Sequence, residues 1–191
     1  MHENAVMQLA AASNNLDAAR ALAEHMSGTL YCDEREQWQH LPFRALVTVA
    51  TDDIDAVSRV GDVGAYTVFR RLVKAGTPET IALFPLIRRA DLSHVHADAH
   101  WRDQHAPLAL EHHAHMTHYT QLSVVANLSG LELDGFALCG FASVDDLRNR
   151  FYTSPESVNI IAEDVRQFAD ISRSPPRLIA SEHRYTQANV S

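Results

Sequence analysis

Beyond residue 78 the chain reads as six short segments in the order strand, helix, strand, strand, helix, strand. Ile81 to Arg89 is the first strand, and Ser93 has the position of an N-cap for a helix running to about His105. His118 to Asn127 and Phe136 to Ala142 follow as strands, with turn residues between Gly130 and Gly135. Ser143, with an acid at Asp146, starts a helix. A second helical stretch spans about Pro155 to Ile171, and Arg177 to Tyr185 closes the set as a strand.

That order is the ferredoxin-like plan, an α+β arrangement with helices on one face of an antiparallel sheet. Pro85 stands against it, because a proline inside a central strand removes a ladder donor. An open sheet with a partly apolar face needs a cover, and a homodimer supplies one symmetrically. The expected arrangement is therefore a homodimer.

Residues before the Ala75-Gly76-Thr77-Pro78 linker are harder to place. Residues 5–26 carry Val6, Leu9, Leu16, Ala19, Leu22, Ala23 and Met26 near helical spacing, interrupted at Asn14-Asn15. A polar loop is expected from Thr29 to Pro42, then a strand over Phe43 to Thr51, a short helix after Asp52-Asp53, and a strand from Ala65 to Val73. The echo between Ala45–Thr51 and Ala137–Ser143, each before an Asp-containing helix start, suggests a truncated β-α-β half-copy. It offers a second way to cover the sheet, within one chain, although the homodimer is the favoured one. The divisions are 1–78 for this N-terminal extension, 79–186 for the main domain and 187–191 for a frayed tail.

Composition narrows the partners. With 191 residues the chain can bury a substantial core. A formal net charge of −8 lacks the basic footprint that nucleic-acid binding requires. No apolar run approaches the ~20 residues of a membrane span. The start, Met1-His2-Glu3-Asn4, has no signal-peptide character, so a cytoplasmic location is expected. Cys32 and Cys139 form no metal or disulfide pattern.

Eight of the 12 histidines lie between His94 and His118. Three readings are open. His96 and His100 share a helix face and could hold a divalent ion, although no third ligand follows from the spacing. His105 could act alone: Pro107 should end the helix near it, and a helix C-terminus favours a protonated imidazole beside the indole of Trp101. Or the cluster is a solvated helix face. In the strand after it, Tyr119, Gln121, Ser123 and Asn127 point one way, with Leu122, Val124 and Ala126 packed under the helices on the other. The polar side suits either a cavity that orients a largely apolar ligand or a solvent-exposed sheet face.

Arg88-Arg89-Ala90-Asp91-Leu92-Ser93, then Trp101-Arg102-Asp103-Gln104-His105-Ala106-Pro107-Leu108, then Tyr119-Thr120-Gln121 resemble the EthD domain, as does Phe168-Ala169-Asp170 before the closing strand. The resemblance spans about residues 80 to 185. It implies a dimeric α/β barrel in which two ferredoxin-like sheets enclose a cavity, with His105 catalytic and Trp101, Tyr119 and Gln121 contacting substrate; Arg88 and Arg89 could contact an anionic group of the substrate, with an ordinary surface ion pair the favoured alternative. It implies breakdown of ethers and other xenobiotics or polyketide-type tailoring, by oxidoreductase, dehydratase or isomerase chemistry that uses no cofactor. A binder without activity, or an accessory protein to an oxygenase, would show the same cavity. The sequence departs from the family pattern at Ala97, where an aromatic residue is usual, and at Leu122, where Asn often stands.

Overall fold

The computed structural model describes residues 5–35 and 38–186; the expected tail at 187–191 lies outside them. Eight antiparallel strands close on themselves in the order β1-β3-β2-β8-β5-β7-β6-β4. The first four are β1 (Ala5–Ser13), β2 (Thr29–Cys32), β3 (Ala45–Val49) and β4 (Gly64–Lys74), with α1 (Leu16–His25) after β1 and α2 (Ile54–Val60) after β3. The second four are β5 (Thr80–Leu86), β6 (Met116–Gly130), β7 (Gly135–Phe141) and β8 (Leu178–Arg184). Between β5 and β6 run α3 (His94–His100) and α4 (Ala106–His112), and between β7 and β8 run α5 (Val144–Asn149) and α6 (Pro155–Phe168). Among the described residues no helix is long and apolar enough to cross a membrane.

This overturns the expected architecture. The ferredoxin-like sheet awaiting a second chain does not occur; one chain closes its own barrel, and the N-terminal half supplies the within-chain cover that was the alternative to a homodimer. The N-terminal part is a full set of four strands instead of a helix with a truncated half-copy. Residues 5–13 form a strand because β1 lies between β3 and β4, with Leu9 and Ala11 under the helices and Ala10 and Ala12 inside the barrel. A strand buried on both faces loses its polar alternation. Its alanines then read as helix, and pairing on both edges overrides that propensity. The helix starts only at Leu16, where the Asn15 side chain accepts from the Ala18 amide. Thr29–Cys32, expected as loop, is the strand that joins β8.

Two seams close the ring. β2 pairs with β8 over four residues, and β4 pairs with β6 along nearly its whole length with three register irregularities. Pro85 is tolerated because pairing of β5 with β8 ends at Leu83, so beyond it one edge needs no donor.

The barrel interior is solid. Phe136 meets Phe43 and Tyr66 edge-on, at 6.2 and 5.3 Å between ring centroids, with Leu46, Leu83, Leu122 and Leu138 around them. The hollow expected between two sheets is therefore filled by side chains, as in other small closed barrels. Leu122 and Val124 belong to this interior, so the faces of β6 are the reverse of those expected: Tyr119 and Gln121 lie under the helices. Leu122, a departure from the family pattern, faces away from the helical layer.

Because Phe136 bridges both halves of the barrel, Phe136→Ala is expected to cost about 3–5 kcal/mol. Urea unfolding should show a lower midpoint with an unchanged slope.

Candidate functional site

The space absent from the barrel interior appears outside its wall. A cavity of about 390 Å³ lies between the outer faces of β5, β6 and β7 and the helices α4 and α6. Its walls are mainly apolar, with Phe84, Trp101, Phe151, Ile161, Val165 and Phe168 among the lining side chains. Trp101, His105 and Tyr119 line it, as does His113, to which the sequence reading gave no role.

Trp101 and His105 reach it through an irregularity in the helix. The helix does not end at His105, contrary to expectation; it continues through a π-helical turn, Trp101–His105, into α4. Pro107 brings no N–H to this region, and the widened turn lets the Ala106 amide donate to the Trp101 carbonyl. Such turns occur often at functional sites. Both side chains end up buried, and Phe168 of α6 stacks with Trp101 and packs against the His105 ring. His105 is thus set by the π turn and α6, with no helix C-terminus beside it.

Asp164 on α6 orients that imidazole. Its carboxylate accepts from His105 Nδ1 at 2.6 Å and from His100 Nε2 at 2.8 Å. Burial works against its charge, but the hydrogen bonds from the two histidines outweigh it and hold the carboxyl below its usual range. An ionised carboxylate only accepts, so Nδ1 of His105 carries the proton. In the neutral ring Nε2 is then a free base, and it has no hydrogen bond among the described residues.

Tyr119 is set by a longer chain. Arg71, on β4, pairs in register with Gln121 on β6 and donates from Nε to Gln121 Oε1 at 3.1 Å. Arginine has no acceptor, so the amide orientation of Gln121 is decided. Its NH2 must face the Trp101 carbonyl at 3.0 Å and the Tyr119 hydroxyl at 3.1 Å. Trp101 Nε1 donates to the same hydroxyl at 3.1 Å. With both lone pairs of its oxygen engaged, Tyr119 has only its proton left to offer, and it lines the cavity. Burial raises its pKa, which keeps the phenol a neutral donor.

Arg71 itself is held by Asp98 on α3 through two hydrogen bonds, at 2.7 and 2.8 Å. Burial opposes the charge on Asp98, yet bonding to Arg71 and Ser123 keeps its carboxyl below the ordinary range. Gly135 on β7 completes the mounting, since a Cβ there would fall 2.6 Å from the Trp101 ring.

His113 is a third polar feature of the wall. Burial lowers its pKa to about 4, so the ring is neutral. Nδ1 donates to the Phe151 carbonyl at 2.7 Å, which leaves Nε2 as an acceptor. Cys139, also on the wall, is an inert thiol pushed up to about 12 by burial.

Other expected participants are elsewhere. Arg88 does not line the cavity; it pairs with Asp134 at 3.1 Å, donates to the Leu92 carbonyl, and borders a small recess of about 20 Å³ beside Ala97. Gln121 is fully buried behind Tyr119 and does not line the cavity. The histidine run disperses: His100 serves Asp164, His112 bonds Ser157, and His118 bonds Thr120. Of the His96/His100 pair, His100 is engaged by Asp164, and among the described residues neither belongs to a group of three potential metal ligands. Cys32, Glu34 and His183 do come together, with ligand atoms within 4.8 Å of one another. Glu34 there also meets Arg20 at 3.3 Å, a cation that opposes a metal ion. Asp164, Arg71 and Asp98 escaped the sequence reading because no motif spacing links them to His105 or Tyr119.

The EthD domain family model matches residues 89–172, a stretch that holds Trp101, His105, Tyr119, Gln121 and Asp164 but not Arg71. No curated protein matches the chain. Among solved structures, an anthrone oxidase-like protein shares the fold, with a TM-score of 0.57, 10% sequence identity, and coverage of 97% of this chain and 96% of that one. A candidate monooxygenase from Lactobacillus acidophilus NCFM aligns with a TM-score of 0.49 and 9% identity over 96% of this chain and 95% of that one.

A depressed carboxyl stabilises the fold above the unfolded value and loses that contribution as pH falls through the folded one. Asp164→Asn should therefore be less stable than the parent above about pH 4, with the gap shrinking below it. Urea unfolding at stepped pH measures the gap; one that persists in acid would assign the effect to shape.

Proposed function

We propose that this chain, which carries an EthD domain over residues 89–172, is an enzyme that removes a proton from a small, largely apolar molecule bearing a carbonyl or similar oxygen. One observation carries the reading: an imidazole oriented by a carboxylate and a phenol committed to donating line the same apolar cavity. His105 Nε2 takes the proton, and Asp164 steadies the imidazolium that results. Tyr119 donates to the oxygen on which negative charge develops, in a site from which side chains exclude much of the water. Trp101 and Phe168 wall the apolar body. Arg71 and Gln121 act through Tyr119 and are positioning residues.

This first step is common to several of the reactions that the family resemblance implies. An isomerase returns the proton at another carbon, and a dehydratase expels hydroxide. In the oxidative case O2 takes the electrons of the carbanion, one oxygen atom is kept as a new carbonyl, and the other leaves as water. The chain's own side chains supply the acid and base, so the proton transfer needs no cofactor. A cytoplasmic setting is part of the proposal and fits two buried cysteines that remain free thiols.

Anthrone is a suitable first probe, because its methylene protons are acidified by a carbonyl across the ring and the fold is shared with an anthrone oxidase-like protein. Exchange of those protons in D2O without oxygen isolates the proposed step. His105→Ala should slow exchange by about 100- to 10,000-fold with ligand affinity retained. Tyr119→Phe should slow it while leaving the pH profile in place. Unchanged exchange in the His105 variant would refute the assignment, and saturable binding with no exchange in the parent would favour the binder.

A further inference from the structure

The inner cavity shares a wall with a second space. Phe84, Phe151 and Tyr152 border both the cavity and an open groove of about 510 Å³, whose other residues come from α5, the start of α6 and the approach to β8. Arg177 stands at this partition. Its guanidinium carbon lies 5.7 Å from the ring centroids of both Phe84 and Phe151. A guanidinium resting on aromatic rings leaves its N–H donors unspent. The Arg177 side chain has no carboxylate partner or hydrogen bond among the described residues, nor has the side chain of Arg148, the other cation of the groove.

No Asp or Glu lines the groove, in a chain where acidic residues outnumber basic ones 24 to 16. Acidic residues nearby in sequence are engaged elsewhere: Asp145 accepts from the Asn149 amide, and Asp146 is held by Arg150 and Ser143. The N-terminus of α6 contributes little, since Ser154 already caps it and Glu156 occupies its first turn. The positive character therefore rests on the two arginines. Arg177, seated on rings that also wall the cavity, is the one within reach of a molecule extending out of it.

We propose that the ligand has two parts: an apolar, aromatic body in the inner cavity, and an anionic oxygen group that reaches Arg177, with Arg148 beside it. The proposal rests on the inner cavity being a ligand site. It narrows the substrate class to aromatic or otherwise apolar anions, with the charge held away from His105 and Tyr119. Arg177 then selects the substrate and sets how deeply its body is inserted.

A matched pair of fluorescent probes tests this. 1-Anilinonaphthalene-8-sulfonate and N-phenyl-1-naphthylamine share one aromatic body, and only the first carries an anion. At low salt the sulfonate dye should bind about 10- to 100-fold more tightly, the range of a charge-assisted hydrogen bond. Each dye should displace the other, and added salt should weaken the sulfonate alone. Arg177→Met, which keeps an apolar side chain against the two rings, should remove most of that preference and leave the neutral dye within about twofold of the parent. Displacement by 2-naphthoate but not by inorganic phosphate would assign the groove to an anion attached to an aromatic body; the reverse result would overturn the two-part ligand. Equal affinities of the two dyes, or unchanged sulfonate binding in Arg177→Met, would overturn the anion site while the cavity stands. If the neutral dye fails to bind the parent, the cavity reading fails and this proposal with it.

Discussion

The seam between β4 and β6 determines more of the site than any residue on the cavity wall. Their pairing sets Arg71 opposite Gln121. From that register the rest follows as a sequence of forced hydrogen-bond directions: guanidinium to amide oxygen, then amide nitrogen to phenol, which leaves the phenol only its proton to donate. A slip of one residue along this seam would turn Arg71 to the other face of the barrel wall. The bidentate contact with Asp98 resists such a slip by tying β4 to α3. Buried ion pairs add little net stability against an apolar substitute, but breaking one by removing a partner costs about 3–5 kcal/mol. The pair therefore contributes more to geometry than to overall stability.

The second constraint is the contact between the π turn and α6. Asp164 binds two histidines one helical turn apart, so the helix bearing Trp101 and His105 is clamped to α6 at two points. Phe168, one turn further along α6, fills the angle between them. The base, its orienting carboxylate and the aromatic wall are in this way parts of one helix–helix contact. Motion of α6 would alter all three together.

The C-terminal half was largely legible in the sequence. β5 and β7 are short apolar runs bounded by turn or cap residues, and Ser93 and Ser143 are N-caps whose side chains accept from the amides of His96 and Asp146. The Trp101 and His105 spacing marks one helix face, and the structure brings both to the cavity. Three things were not legible. β1 was hidden because a strand buried on both sides carries no alternation, and alanine favours a helix when considered alone. The orientation of β6 is hidden because its local polarity points the wrong face toward the helices. In fact the larger apolar demand comes from the barrel interior, and the helical layer receives Tyr119 and Gln121 with their partners. Arg71 and Asp164 could not be found because each acts at long range, from another half of the chain or another helix, and hydrogen-bond direction leaves no mark in spacing.

Closing the ring from two unlike halves has a further consequence. In a pair of identical subunits every substitution appears twice, so a change that opens a cavity under one set of helices opens a second under the other. Here the N-terminal helices α1 and α2 cover a filled layer of small residues around Ala11, Ala19, Ala23 and Ala65. The C-terminal helices stand over an open one. One side of the wall is thus packed with buried apolar side chains while the other is roomy, and the packed side lends the roomy one an arginine across the join.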